Sequence, residues 1–259
     1  FRRVLFRSPP ADARALFSLL FVVLLLLGLW SLLCRAPVAR IESALASPSW
    51  WLPWRNPAFV WLALVFLLNG LAMAIPATLA LFFISDVIRQ PQWSGIFLGA
   101  YFLGGALLLP LWVWLGNRIG RPLAWLSSMG LACLCFVWAA VLGAGDVWQY
   151  LLLCLLSGAA LGADLALPPA ILADVIPAHQ RGATGSYFGY WSLLAKLALA
   201  LSAGIALPLL SWLGYEPGGA EAPRSLSLVY ALLPCCIKAL AATLLLYCGE
   251  KLSLKEHVT

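Results

Sequence analysis

The stretch QYLLLCLLSGAALGADLALPPAIL, residues 149–172, decides what kind of molecule this is. As a helix rising 1.5 Å per residue it is about 36 Å long, enough to cross a hydrocarbon core of about 30 Å. Yet it holds a carboxylate, Asp164. A charge at the bilayer centre costs about 2.5–3.5 kcal/mol even on a lenient insertion scale, so Asp164 must face a partner or water inside a helix bundle.

The rest of the chain agrees with a lipid solvent. Of its 259 residues, 63% are hydrophobic and 10% charged, with a mean hydropathy of +0.96. A soluble domain carries about 25% charged residues, so no water-facing surface can be built from this composition. Hydropathy places seven spans at 14–34, 58–85, 93–115, 123–143, 149–172, 185–213 and 226–248. Backbone polar groups in lipid must be satisfied within their own segment, which makes these spans helices. The fold class expected is an all-α integral membrane protein with seven transmembrane helices.

Loop charge sets the orientation. Segments 35–57, 116–122, 173–184 and the tail from 249 carry Arg35, Arg40, Arg55, Arg118, Arg121, Arg181, Lys251 and Lys255. The opposite loops carry only Arg89 and Arg224, beside Asp86, Asp146, Glu216 and Glu221. The positive-inside rule puts the first set, and the C-terminus, in the cytoplasm of a multi-pass protein of the cell inner (plasma) membrane. Trp50, Trp51, Trp54, Trp93, Trp125, Trp148 and Trp212 fall near span ends and read as interfacial anchors.

The opening FRRVLFRS, residues 1–8, resembles the in-frame translation of a sequencing-library adapter. Without its three arginines the formal net charge falls from +6 to +3, so no nucleic-acid partner is expected. The seven cysteines lie in or beside apolar runs and read as small packing residues, with no metal-ligand spacing. With two isolated histidines and no paired carboxylates, a membrane-embedded enzyme has little to work with.

Inside the spans two opposite charges stand at similar depth. Asp164 lies eight residues from Leu172, and Lys196 eleven from Gly185, on consecutive antiparallel helices. The face around Lys196 reads Gly185, Gly189, Ser192, Lys196, Ala200, Ala203, a small and weakly polar stripe suited to a close helix or a wet cavity. Pro168 has no N–H for the carbonyl of Asp164, and Asn69-Gly70 with Pro76 mark a second irregular helix. Interrupted helices of this sort mark binding sites in transporters. Asp164 and Lys196 are read as a solute or ion pathway, with a structural ion pair as the plainer alternative. Asn69 reads equally as a hydrogen-bond link to a neighbouring helix. Lys238 reads as a snorkelling lysine about ten residues from the cytoplasmic end.

These residues resemble known transporters. GNRIGRP, Gly116–Pro122, resembles the loop signature of the major facilitator superfamily, matched at Arg118, Gly120 and Arg121, with Asn117 where the family has Asp. NGLAMAIPATLALFFISDVI, from Asn69, and ADVIPAHQRGATGSYFGYWSLLAKLALALSAGIALPLLSWLGY, from Ala173, resemble the seventh and the tenth-to-eleventh helix regions of the glycoside–pentoside–hexuronide:cation symporters, the melibiose-permease-like branch. The resemblance implies a major-facilitator-type architecture. Residues 14–34 would be the last helix of an N-terminal half, 35–57 a cytoplasmic linker, 58–248 the C-terminal six-helix bundle and 249–259 a cytoplasmic tail.

It further implies a cation-coupled symporter for a sugar or glycoside, working by alternating access. Lys196 then occupies the place of a cavity lysine, with Asn69, Tyr101, Asp164 and Ser192 as the other pathway candidates. Arg118, Gly120, Arg121, Asp174 and Arg181 form the loop motif and candidate cytoplasmic gate. No cofactor is expected beyond coupling Na⁺ or H⁺, whose acidic ligands the resemblance assigns mainly to the N-terminal half. The expected partners are the bilayer, a small solute and that other half. A lysolipid-type solute and a non-transporting scaffold are the alternatives.

Overall fold

In the computed structural model of the protein, residues 11–35, 50–219 and 224–253 are described. The adapter-like segment 1–8, linker residues 36–49 and tail residues 254–259 lie outside them. Among the described residues the chain folds into seven α-helices without a strand. Helix α1, Ala11–Arg35, belongs to a unit of its own, and a second compact unit begins at Pro48.

The second unit holds α2 (Pro57–Phe82), α3 (Ser94–Ile119), α4 (Arg121–Ala139), α5 (Val147–Val175), α6 (Thr184–Trp212) and α7 (Arg224–Ser253). Each corresponds to one predicted span, α4 ending at Ala139 rather than 143, and all six are long and apolar enough to cross a membrane. The predicted irregularities at Asn69-Gly70, Pro76 and Pro168 do not interrupt their helices. Instead α2 loosens into a π-turn at Phe83–Val87. Successive helices alternate direction, so one end of the bundle gathers Arg118, Arg121 and Arg181, and the other Asp86, Asp146 and Tyr215.

Apart from α4 with α5, the main packing partners are not sequence neighbours. Helix α5 lies against α3 and α4, α7 against α2 and α4, and α6 against α2 while scarcely touching α5. The α3–α5 contact is the tightest, because small residues let the two backbones meet. A Cβ on Gly158 would sit 2.0 Å from the carbonyl oxygen of Tyr101, and one on Gly104 2.4 Å from that of Leu155.

Two apolar layers fill the interior. Near the acidic end Phe83 stacks on Tyr230 at 4.2 Å, and the hydroxyls of Tyr150 and Tyr230 share a 3.2 Å hydrogen bond. Near the basic end Phe59, Trp112, Trp125, Met129, Tyr187 and Trp191 form the second layer. Trp125 is therefore no interfacial anchor: it is wholly buried, whereas Trp50, Trp51, Trp148 and Trp212 are exposed. Position near a span end marks an anchor only if the helix face looks outward, and this face of α4 looks at α5.

Both ends are fastened by polar contacts. At the basic end Asn56 caps α2 by accepting the Ala58 N–H at 3.1 Å. Its amide donates to the Val175 carbonyl at 3.2 Å and the Tyr187 hydroxyl at 3.4 Å. At the other end the buried carboxylate of Asp86 accepts the Tyr215 hydroxyl and the Gly218 N–H, the latter at 3.1 Å. Burial, then the Asp86 hydrogen bond, push the Tyr215 phenol well above its ordinary pKa, so it stays a neutral donor. Tyr215→Phe should loosen residues 213–219 by about 1.5–3 kcal/mol, the range for a hydrogen bond to a charged group. Faster amide exchange at Gly218 with unchanged exchange in α4 is the expected readout.

Candidate functional site

Between the two apolar layers lies a buried polar cluster drawn from four helices. Asp164 of α5 is its centre. One carboxylate oxygen accepts the Trp125 indole N–H of α4 at 2.7 Å and the Asn69 amide of α2 at 2.9 Å. The other accepts Lys238 Nζ of α7 at 3.4 Å. Lys238 also donates to the Asn69 amide oxygen at 2.5 Å. The lysine side chain is 1% exposed and the aspartate 10%. The ammonium and carboxylate balance, and every buried side-chain nitrogen and oxygen among the described residues has a partner. That satisfaction is what permits two charges at this depth.

The expected pairing of Asp164 with Lys196 is thus replaced by one with Lys238. Lys196 is exposed, and among the described residues it forms no ion pair. Depth did match, but pairing needs facing helix surfaces, and α6 turns its Tyr187, Trp191, Leu194, Ala198 and Ser202 face inward. Lys238 does not snorkel because its face of α7 looks inward: the side chain is 1% exposed and donates to Asn69 and Asp164. A signal was present: Ala239, Ala241 and Ala242 surround Lys238 with the small residues that made Lys196 conspicuous.

The other candidates divide between two places. Asn69 joins the cluster. Tyr101 is half-buried on α3, with its carbonyl against Gly158. Ser192 is exposed on α6, one turn from Lys196 and continuous with exposed Gly185, Gly189 and Ala200. Of the loop residues, Arg121 forms an ion pair with Asp174 and donates to the Ala170 carbonyl at 3.4 Å. Arg118 lies over the Trp114 ring at 5.0 Å. Gly120 links α3 to α4 at φ 89° and ψ 141°, a conformation essentially restricted to glycine. Arg181 lines a recess at the basic end with Asp174, Thr184 and Phe188. Among the described residues no cluster of His, Cys, Asp and Glu is arranged to hold a metal.

Six membrane-length helices, a basic loop built on a glycine turn, and charges set inside the bundle are joined by a match of residues 10–248 to the family described as MFS/sugar transport protein. The chain belongs to that family. It is 34% identical over 120 residues to the multidrug resistance protein MdtG of Salmonella paratyphi C, covering 44% of this chain and 28% of that protein. It is 24% identical over 175 residues to the human sodium-dependent lysophosphatidylcholine symporter 1, covering 65% of this chain and 32% of that one. The chain thus spans about a third of the length of the curated relatives it matches. The family is a transport family by its description and the human relative a symporter by its name, and the coarse reading as a membrane protein of the major facilitator superfamily holds.

Proposed function

We propose that this chain supplies the C-terminal half of a cation-coupled symporter for a small polar solute, a sugar or glycoside, working by alternating access in the cell inner membrane. The assignment to the melibiose-permease-like branch belongs to the same proposal. The single observation that carries it is Lys196, exposed twelve residues into α6 and without an ion pair among the described residues. An ammonium at that depth is too costly against hydrocarbon, so its face must look onto a polar cavity. Ser192 and the bare backbone of Gly185 and Gly189 make that face narrow and hydrogen-bonding, which suits a hydroxyl-rich solute. The opposing wall, and the ligands for Na⁺ or H⁺, would come from the N-terminal half, and the C-terminus would be cytoplasmic. Arg121 with Asp174, flanked by Arg118, Gly120 and Arg181, would close the cytoplasmic side.

A lysolipid-type solute is the second reading, favoured by the similarity to a lysophosphatidylcholine symporter over 65% of the chain. The test is uptake into proteoliposomes by the full-length gene product, with radiolabelled methyl glycosides and lysophosphatidylcholine offered in parallel under Na⁺ or pH gradients. Lys196→Ala should abolish gradient-driven uptake, a loss of about a hundredfold or more for a direct polar contact, while membrane insertion stays normal. Undiminished uptake in that variant would refute the role given to Lys196. Uptake of the lipid alone would replace the sugar reading.

A further inference from the structure

The buried cluster and the exposed lysine are connected through α2. Lys238 Nζ reaches Asn69 Oδ1 at 2.5 Å, and the next residue, Gly70, packs against Ala198 of α6. A Cβ on Gly70 would stand 3.2 Å from Ala198 Cβ, so glycine sets the spacing there. One turn earlier the Phe66 ring stacks on Trp191 at 3.7 Å. Two turns later Thr78 and Ser202 share a 3.1 Å hydrogen bond. Lys196 lies between the Trp191 and Ala198 contacts, on the opposite face of α6. Its height and rotation therefore follow from how α2 presents residues 66–78.

What holds α2 at that height is the charge pair. Asn69 is gripped from both sides, donating to Asp164 of α5 and accepting from Lys238 of α7. Trp125 pins the same carboxylate from α4. Three helices thus fix one residue of α2, and the neighbouring residue fixes α6. We propose that the Asp164–Lys238 pair is a positioning device: acting through Asn69 and the Gly70–Ala198 contact, it sets Lys196 on the cavity face without itself touching the solute. This rests on the transporter reading for its purpose, whereas the mechanical link is testable without any transport.

The experiment places Lys196→Cys in the full-length gene product in proteoliposomes. The rate of modification at position 196 by a membrane-impermeant maleimide is followed by peptide mass spectrometry, with thermal melting measured in parallel. Adding Lys238→Met should change that rate by at least about threefold, the low end of coupling between residues that share contacts. The neutral pair Asp164→Asn with Lys238→Met removes the ion pair and the Lys238 hydrogen bond to Asn69 together, so it should leave the rate displaced while the melting temperature largely recovers. Gly70→Ala keeps both charges but makes the α2–α6 contact give by a few tenths of an ångström, and should change the rate at 196. If Lys238→Met prevents insertion, Gly70→Ala and the neutral pair decide the matter alone. A rate at 196 indifferent to Gly70→Ala, or a neutral pair that returns the rate to within about twofold of the parent, overturns the proposal. Because labelling needs no solute, a gene product that transports nothing leaves this result intact and removes only the proposed function.

Discussion

Lys238→Met should cost about 3–5 kcal/mol of stability, because it leaves the Asp164 carboxylate buried and uncompensated. Asn69 and Trp125 would still donate to one oxygen, but the other loses its only donor among the described residues. The second variant Asp164→Asn with Lys238→Met should regain most of that loss, since a neutral pair of similar volume asks for no counter-charge. Lys196→Met is the internal comparison. Its ammonium is exposed and forms no ion pair among the described residues, so melting in detergent should hardly move. Two lysines in one bundle are then separated by experiment, one needed for the fold and one only for its surface. A Lys238→Met protein that melts with the parent would mean that water or another group already balances Asp164.

Gly158→Ala should be nearly as damaging, for a different reason. The added carbon would lie 2.0 Å from the Tyr101 carbonyl oxygen and 2.8 Å from its carbon, both backbone atoms of a helix that cannot rotate away. The helices must separate, and with them Gly162, whose own Cβ position is 2.5 Å from the Gly105 oxygen. The expected loss is about 3 kcal/mol, the upper part of the usual overpacking range. Gly130→Ala on α4 meets nothing within 4 Å and should stay within about 0.5 kcal/mol of the parent. Equal melting temperatures for the two alanine variants would show that α3 and α5 are not in backbone contact.

Much of this architecture was legible in the chain. Residues 149–172 had to be a helix, and the helix observed at Val147–Val175 differs only at its ends. The ends moved because hydropathy stops where polar residues begin, whereas the backbone continues coiling through the headgroup region, as α7 does to Ser253. The basic loop was legible too, and Gly120 proved to occupy a conformation few other residues adopt. The site was legible only in half. Asp164 and Asn69 stood out as polar residues in apolar runs, and both lie in the buried cluster. Trp125 did not stand out, since a tryptophan near a span end looks the same whether it faces lipid or a carboxylate.

By itself the sequence determined the solvent, the helices and their alternation, because lipid penalises every unsatisfied backbone group and leaves almost no other choice. It also determined that Asp164 needs a partner. Which partner was decided only when the helices packed. Lys196 and Lys238 were both available at plausible depth, and helix rotation chose between them: α7 settled against α2 and α4 with its lysine inward, and α6 turned an apolar face to α2. Depth is a one-dimensional property that a sequence records. Rotation about a helix axis depends on every neighbour at once, and so it exists only in the assembled bundle.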